Sequence, residues 1–478
     1  MDWKLKKFKD HVLKDLGVEV SYDKCWWARC RAKLIIYGNN KDQYAKVYDY
    51  ADALRKYNPG STASVQCEGI ERPLVVFKRL YVCLNACKVG FINGCRPLLG
   101  VDGCHLKGAY PGMCLVAVGQ DGNHNLYLIA WAVVEVENKD SWCWFLELLS
   151  ADLGKVEGEG PTFMSDRQKG LLDALNRVVP KAEVRYYVRH MWSNFKLTWS
   201  GEVYKDTFWS AARATTEAEF KAQMKGMEML SKEAHQWLNK IPPSAWSRHA
   251  FSTQSTSNML LNNLCESFNN VLREVRDKPI LTHMEWMRRY VMKRNFAKRE
   301  GVGKYKAKFM PYAEKYTKKV IEESRFCLVE RATTELFEVE YRGEFHSQRQ
   351  VVRDYIDEAY SKAKYESAYA PVVLPMPGSK QWEKSGLPEP LPPHERKMPG
   401  RPSKKKRRKE VWTCKNPAAE ARAPKNAGGR PLVNTEWAKE KRDKVATRKA
   451  IKEAYKAAHP SQFASQANSS RKPHKEAR

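Results

Sequence analysis

Arg96-Pro97-Leu98-Leu99-Gly100-Val101-Asp102 and Thr162-Phe163-Met164-Ser165-Asp166 are two apolar runs that each end in a carboxylate. Short runs of this kind, bounded by turn residues, read as buried strands. Between them Met113 to Val118 and Asn125 to Val136 are two more runs, joined by Gln120-Asp121-Gly122-Asn123. An Asp-Gly pair between apolar runs signals a hairpin, because both residues tolerate positive φ. Ser141 to Leu153 has helical spacing, with Trp142, Phe145, Leu146 and Leu149 on one side and Gly154 as a stop. Leu171 to Val179 reads as a helix and Val184 to Val188 as a strand. The predicted order is β-β-β-α-β-α-β, an α/β fold with a mixed sheet and flanking helices.

Working outward, the amino-terminal region to residue 70 reads as helices, with Trp3 to Leu16 first and Trp26 to Leu54 broken at Tyr37-Gly38-Asn39-Asn40. Leu74 to Phe77 is a short strand candidate and Tyr81 to Ile92 resembles an amphipathic helix. Residues 196–257 carry Trp209, Phe220, Met224, Met227, Leu230 and Trp237 at helical intervals and are expected to form an all-α insertion within a domain spanning 71–300. Leu261 to Arg276 is a further helix and presents Glu266. Residues 301–370 read as a helical and degenerate post-catalytic region, helical to about Lys319, with Leu336 to Val339 as a strand. Residues 371–478 read as a Pro-rich linker followed by a disordered basic tail, too charged and too poor in apolar residues to build a core.

The 478 residues hold 84 Lys and Arg against 55 Asp and Glu, a net charge of +29. From Glu395 onward stand 25 basic and 8 acidic residues, so 17 of those charges belong to the tail. Such an excess favours a polyanionic partner, since each cation that neutralises a phosphate releases condensed counterions. No run of about 18 apolar residues occurs, which argues against a membrane span. Twelve scattered cysteines behind a charged amino terminus read as reduced intracellular thiols. The basic tail points to the nucleus.

Asp102 and Asp166 at strand ends, with Glu266 on a later helix, are candidates for holding Mg²⁺ or Mn²⁺. Hard divalent cations take oxygen ligands, and two such ions can activate an attacking hydroxyl and stabilise the leaving oxygen of a phosphodiester. Each carboxylate can equally cap a turn or a helix, or sit on a solvated face, and spacing alone does not decide between these roles.

Local sequence does. Gly100-Val101-Asp102-Gly103-Cys104-His105-Leu106-Lys107-Gly108, Asp140-Ser141-Trp142-Cys143-Trp144-Phe145-Leu146, Met164-Ser165-Asp166-Arg167-Gln168-Lys169-Gly170-Leu171 and Asn262-Asn263-Leu264-Cys265-Glu266-Ser267-Phe268-Asn269, followed by Arg276-Asp277-Lys278-Pro279-Ile280, resemble the plant Mutator-like element (MULE) transposases over roughly residues 70–300. The resemblance implies a ribonuclease-H-like fold and a DDE triad of Asp102, Asp166 and Glu266. It also implies cut-and-paste transposition at terminal inverted repeats by a homo-oligomer assembled on DNA.

The same resemblance locates two departures. The family's Cys-x-x-His pair becomes Tyr187-Val188-Arg189-His190, so His190 stands without its cysteine and is expected to support the site from behind its ligands. The zinc finger that commonly follows the catalytic core is missing. Tyr341 to Gln350 contains no cysteine, so zinc is not expected. Pro399-Gly400-Arg401-Pro402 with Lys404, Lys405, Lys406, Arg407, Arg408 and Lys409 resembles an AT-hook fused to a nuclear-import signal, and is the candidate DNA-contacting segment. A catalytically inactive, domesticated DNA-binding protein of the same family is the alternative function, and a host nuclease the third.

Overall fold

The computed structural model describes residues 5–69, 75–154, 160–260, 263–331, 337–341, 344–347 and 356–393. Arg401 and the basic run Lys404 to Lys409 lie outside the described residues. The described residues divide into two compact units, one of those up to Tyr187 together with those from Ser252 onward, the other of Val188–Phe251.

The first unit opens with four helices, α1 (Leu5–Leu16), α2 (Tyr22–Tyr37), α3 (Asn40–Ala45) and α4 (Val47–Tyr57). A seven-stranded sheet follows. Its strands are β1 (Thr62–Gly69), β2 (Val75–Cys83), β3 (Cys95–His105), β4 (Met113–Asp121), β5 (Leu126–Val134), β6 (Thr162–Ser165) and β7 (Val184–Tyr186). Helix α5 (Asn85–Gly94) precedes β3, α6 (Lys139–Leu153) joins β5 to β6, and α7 (Lys169–Val178) joins β6 to β7. The spatial order is β1-β2-β5-β4-β3-β6-β7. Neighbours from β1 to β3 pair antiparallel, whereas β3, β6 and β7 run parallel. The mixed sheet with flanking helices is therefore as expected from the sequence.

All nine residues of β4 and of β5 are buried, because both faces of the sheet are covered. One face of β3 sends Leu98 and Cys104 into a core shared with Val116, Trp131, Met164, Phe268 and Met284. The alternate residues Leu99 and Val101 enter a second core with Ile129, Trp142, Phe145, Phe163 and Leu175. The strand period of two thus assigns Asp102 to the first face. Each fully buried Leu or Phe contributes about 1.5–3 kcal/mol, so the register of β3 is held firmly.

Several elements differ from the sequence reading. Residues expected to begin an amphipathic helix at Tyr81 belong instead to β2, which pairs with both β1 and β5, and the helix starts at Asn85. Lys78 and Arg79 interrupt the apolar pattern of β2, but Arg79 is buried against Glu135 at 2.5–2.8 Å. The predicted hairpin is present, yet its left-handed residue is His124 (φ 59°) and not Gly122. A side chain on Gly122 would strike the Ala359 carbonyl, 2.4 Å from its Cβ position, so close approach is what requires glycine there.

The second unit is helical over Val188–Phe251, with α8 (Val188–Phe195), α9 (Glu202–Arg213), α10 (Glu217–Leu230) and α11 (Lys232–Asn239). Its centre is aromatic: Phe208 lies 5.4 Å from Phe195 and stacks on Trp246 at 5.6 Å. Thr216 and Glu219 form a capping box that starts α10.

The first unit resumes with α12 (Asn263–Val271), α13 (Ile280–Gly303), α14 (Pro311–Ser324) and α15 (Lys362–Tyr369). A separate three-stranded sheet comprises β8 (Cys327–Arg331), β9 (Phe337–Tyr341) and β10 (Glu344–Ser347). Antiparallel β9 and β10 stand where the sequence suggested the approach to a deleted zinc finger. Helix α15 packs on α5 so closely that Cβ atoms on Gly90 or Gly94 would fall 2.2 Å from backbone atoms of Ala368.

The expected linker beginning at 371 is ordered and packed as far as 393. Leu391 exchanges backbone hydrogen bonds with Val75 and Phe77, Val373 is buried, and Trp382 packs on Tyr50. Prolines remove backbone donors without preventing an extended strap from burying its apolar side chains. Among the described residues, no helix is long and apolar enough to cross a membrane.

Candidate active site at the ends of the parallel strands

In the parallel pair, Gly100 of β3 stands opposite Met164 of β6. Two residues further on each chain come Asp102 and Asp166. Asp102 still lies within β3, paired with Val116 of β4 and not at the strand end expected from the sequence, whereas Asp166 directly follows β6. Sites in such sheets gather at these carboxyl ends.

Asp102 is half-buried. Its Oδ1 accepts a hydrogen bond from the Gly103 amide at 2.8 Å, and its Oδ2 accepts one from Asn269 Nδ2 at 2.9 Å. Burial, the charge of Asp166 and that of Glu137 outweigh those bonds and push its carboxyl up to about 7. Asp166 Oδ1 accepts from the Gln168 amide at 3.0 Å, and Gln168 in turn caps α7 through the Leu171 amide. One oxygen of Asp166 thus does organise the turn, the structural role open to it from sequence. The next residue, Arg167, adopts φ 68° and lays its guanidinium 5.1 Å from the Tyr186 ring centroid.

Glu266 lies half-buried on α12, and Asn269 lies one turn further along the same helix. Cys265 anchors this helix on the sheet. Its Sγ is 3.1 Å from the Tyr187 hydroxyl, both side chains are buried, and a Cβ on Gly100 would come within 2.9–3.0 Å of each. Burial raises the Cys265 thiol well above its ordinary value, and the charges of Asp102, Asp166 and Glu266 reinforce the shift. Tyr187, which stands where the family pattern has cysteine, is therefore a packing residue beneath the helix that carries Glu266. His190 lies on α8 in the helical unit and is half-buried.

A fourth carboxylate escaped the sequence reading. Glu137 follows β5, and its carboxylate occupies the space above Gly103, 2.9–3.0 Å from where a Cβ there would be. Trp142 Nε1 donates to its Oε1 at 3.3 Å. Burial and the charge of Asp166 raise the Glu137 carboxyl. The signal was available: Leu126 to Val136 is another apolar run closed by a carboxylate.

Asp102, Asp166 and Glu137 are thus close enough for their charges to interact. Among the described residues, no group of three or more His, Cys, Asp or Glu is drawn together closely enough to hold a metal ion on its own. The Arg276-to-Ile280 motif packs against α2. Asp277 pairs with Lys33 of α2 at 2.7 Å, and Lys278 lies 4.7 Å from the Tyr37 ring centroid.

No curated protein matches the chain significantly. A family model does match, over residues 98–194, which run from β3 to α8 and include Asp102 and Asp166 but not Glu266. That model describes the MULE transposase domain, and the chain accordingly carries a domain of the Mutator-like element transposases.

Proposed function

We propose that the protein is a cut-and-paste DNA transposase whose ribonuclease-H-like core cleaves and joins strands with Asp102, Asp166 and Glu266. The observation that carries this reading is the closeness of Asp102 and Asp166, felt as mutual charge, just beyond the parallel pairing of Leu98–Gly100 with Thr162–Met164. The sheet order and the helices that cover both faces support it. A transposase domain also implies DNA as the partner in general.

The donor set fits a hard divalent cation. Two carboxylates repel each other in a half-buried site, and Asn269 Oδ1 is shut from solvent without a hydrogen-bond partner. Mg²⁺ or Mn²⁺ bound there would supply the Lewis acidity that activates water and neutralises a leaving 3′-oxygen. Asp102 and Asp166 would be the ligands from the sheet and Glu266 the ligand from α12. Asn269 fixes the Asp102 carboxylate through its amide hydrogen bond, and Trp142 fixes Glu137. Glu137 adds negative charge that would draw the cations and, without them, favours protonation of Asp102. The basic tail, with Arg401 and Lys404 to Lys409, would hold flanking DNA in the nucleus.

A strand-transfer assay tests this directly. The full chain, given DNA ending in the inverted repeats that flank its own gene, is expected to join those ends to a target duplex in Mg²⁺ or Mn²⁺ and not in EDTA. Binding of the repeats with no joining in either metal would overturn the enzymatic reading.

A further inference from the structure

Far along the sheet from Asp102, at the β4–β5 turn, the first unit contains a cavity of about 410 Å³ between α14 and the segment before α15. Its walls include Tyr312, Tyr316, Asn258, Ile356, Asp357 and Tyr360. The size lies within the usual range for small-ligand sites, about 300–1,000 Å³.

Three aromatic planes are aligned at this place. Tyr312 stacks on His124 with centroids 3.4 Å apart, and Tyr360 is within 25° of parallel to both. Tyr360 is held rigidly. Its hydroxyl accepts from Arg96 Nη1 at 3.0 Å and donates to the Thr256 carbonyl at 3.3 Å, and the Arg96 guanidinium sits 5.0 Å from its ring centroid. Arg96 is fully buried. Beside these rings, His124 Nε2 and Thr256 Oγ1 are shut from solvent without hydrogen-bond partners. Tyr312 and Tyr316 keep 40% and 56% of their surface exposed.

The described lining carries one carboxylate, Asp357, and lysines flank it along the chain. Lys315, Lys318 and Lys319 are exposed on α14, and Lys304, Lys306 and Lys308 are exposed just before it. Aromatic faces interleaved with lysines are the combination that binds single-stranded nucleic acid: rings stack on bases while cations hold the phosphates. A base paired within a duplex shows only its edges in the grooves and cannot enter such a cavity.

We propose that this cavity takes an unpaired nucleobase of a DNA strand, stacked on the tyrosines, with the lysines of α14 on its phosphates. Asp357 at the wall is suited to accept from an exocyclic amine, as carboxylates do from cytosine. This inference does not depend on the carboxylates at the other end of the sheet.

The test is binding of a 15-nucleotide single strand carrying 2-aminopurine, and of its duplex, to the full chain in EDTA, where strand cleavage plays no part. Tyr316→Ala is expected to weaken single-strand binding about tenfold and to abolish 2-aminopurine quenching, since base–aromatic stacking is worth roughly 5- to 150-fold. Duplex binding should change less than twofold, and Tyr316→Phe should retain both signals. Unchanged quenching and single-strand affinity in Tyr316→Ala would overturn the proposal. So would equal losses for both DNAs accompanied by a lower melting temperature, which would mean that the cavity packs the protein's own chain.

Discussion

Asp102→Asn is expected to abolish strand cleavage and, in the absence of metal, to make the protein more stable. The two effects have one cause. In the folded protein, burial and the neighbouring carboxylates push the Asp102 carboxyl up to about 7 from an ordinary value near 3.8. The ionised form is therefore disfavoured on folding. The penalty is absent below about pH 4, grows as pH rises through 4 to 7, and is complete above 7. Asparagine keeps the shape without the charge, and its amide can donate to the orphaned Asn269 Oδ1. A gain of about 2–4 kcal/mol at pH 8 follows from a shift of this size, with no gain at pH 4. Cleavage should fall on the order of 10³-fold, since a metal ligand supports several kcal/mol of transition-state stabilisation. Thermal unfolding in EDTA at both pH values, beside a cleavage assay, checks both halves. A merely structural Asp102 would lose stability when replaced.

Arg185→Met should be among the most destabilising single changes, at about 3–5 kcal/mol. Arg185 is fully buried at β7. It pairs with Glu183 at 3.0 Å and donates to the carbonyls of Ser257 at 2.6 Å and Ser252 at 3.0 Å. Burial alone would raise the Glu183 carboxyl, but hydrogen bonds from Arg185 and Thr162 reverse this and hold it below the ordinary carboxylate range. Methionine fills the volume but leaves a partly buried carboxylate without its counter-charge and two carbonyls without their donor. Those carbonyls belong to the segment that leads into α12. The variant should therefore lose cleavage as it loses stability, unlike Asp102→Asn. Urea denaturation gives the free energy, and Arg185→Met with Glu183→Leu should recover part of it, because removing both partners avoids the stranded charge.

The contrast between these residues shows what the sequence could disclose. Asp102 and Asp166 were legible because short apolar runs ending in a carboxylate are visible in one dimension, and because neighbouring residues carry a family resemblance. The strand order β-β-β-α-β-α-β was legible for the same reason. Glu137 was not, although it ends a run of the same type, because the helix read from Ser141 to Leu153 draws the attention there. Only folding reveals that Gly103 leaves room for it. The strap from 371 to 393 was misjudged because proline content describes backbone donors, whereas Trp382, Val373 and Leu391 bury side chains. The stacking of His124 on Tyr312 joins residues 188 positions apart, and no local pattern announces such a pair.

The central claim is that Asp102 and Asp166 hold divalent metal ions, and manganese binding followed by electron paramagnetic resonance tests it most directly. Wild-type protein should remove free hexaaqua Mn²⁺ from solution at neutral pH, with Mg²⁺ competing, and Asp166→Asn should lose that binding while keeping its fold. Equal Mn²⁺ binding by wild type and Asp166→Asn would contradict the account.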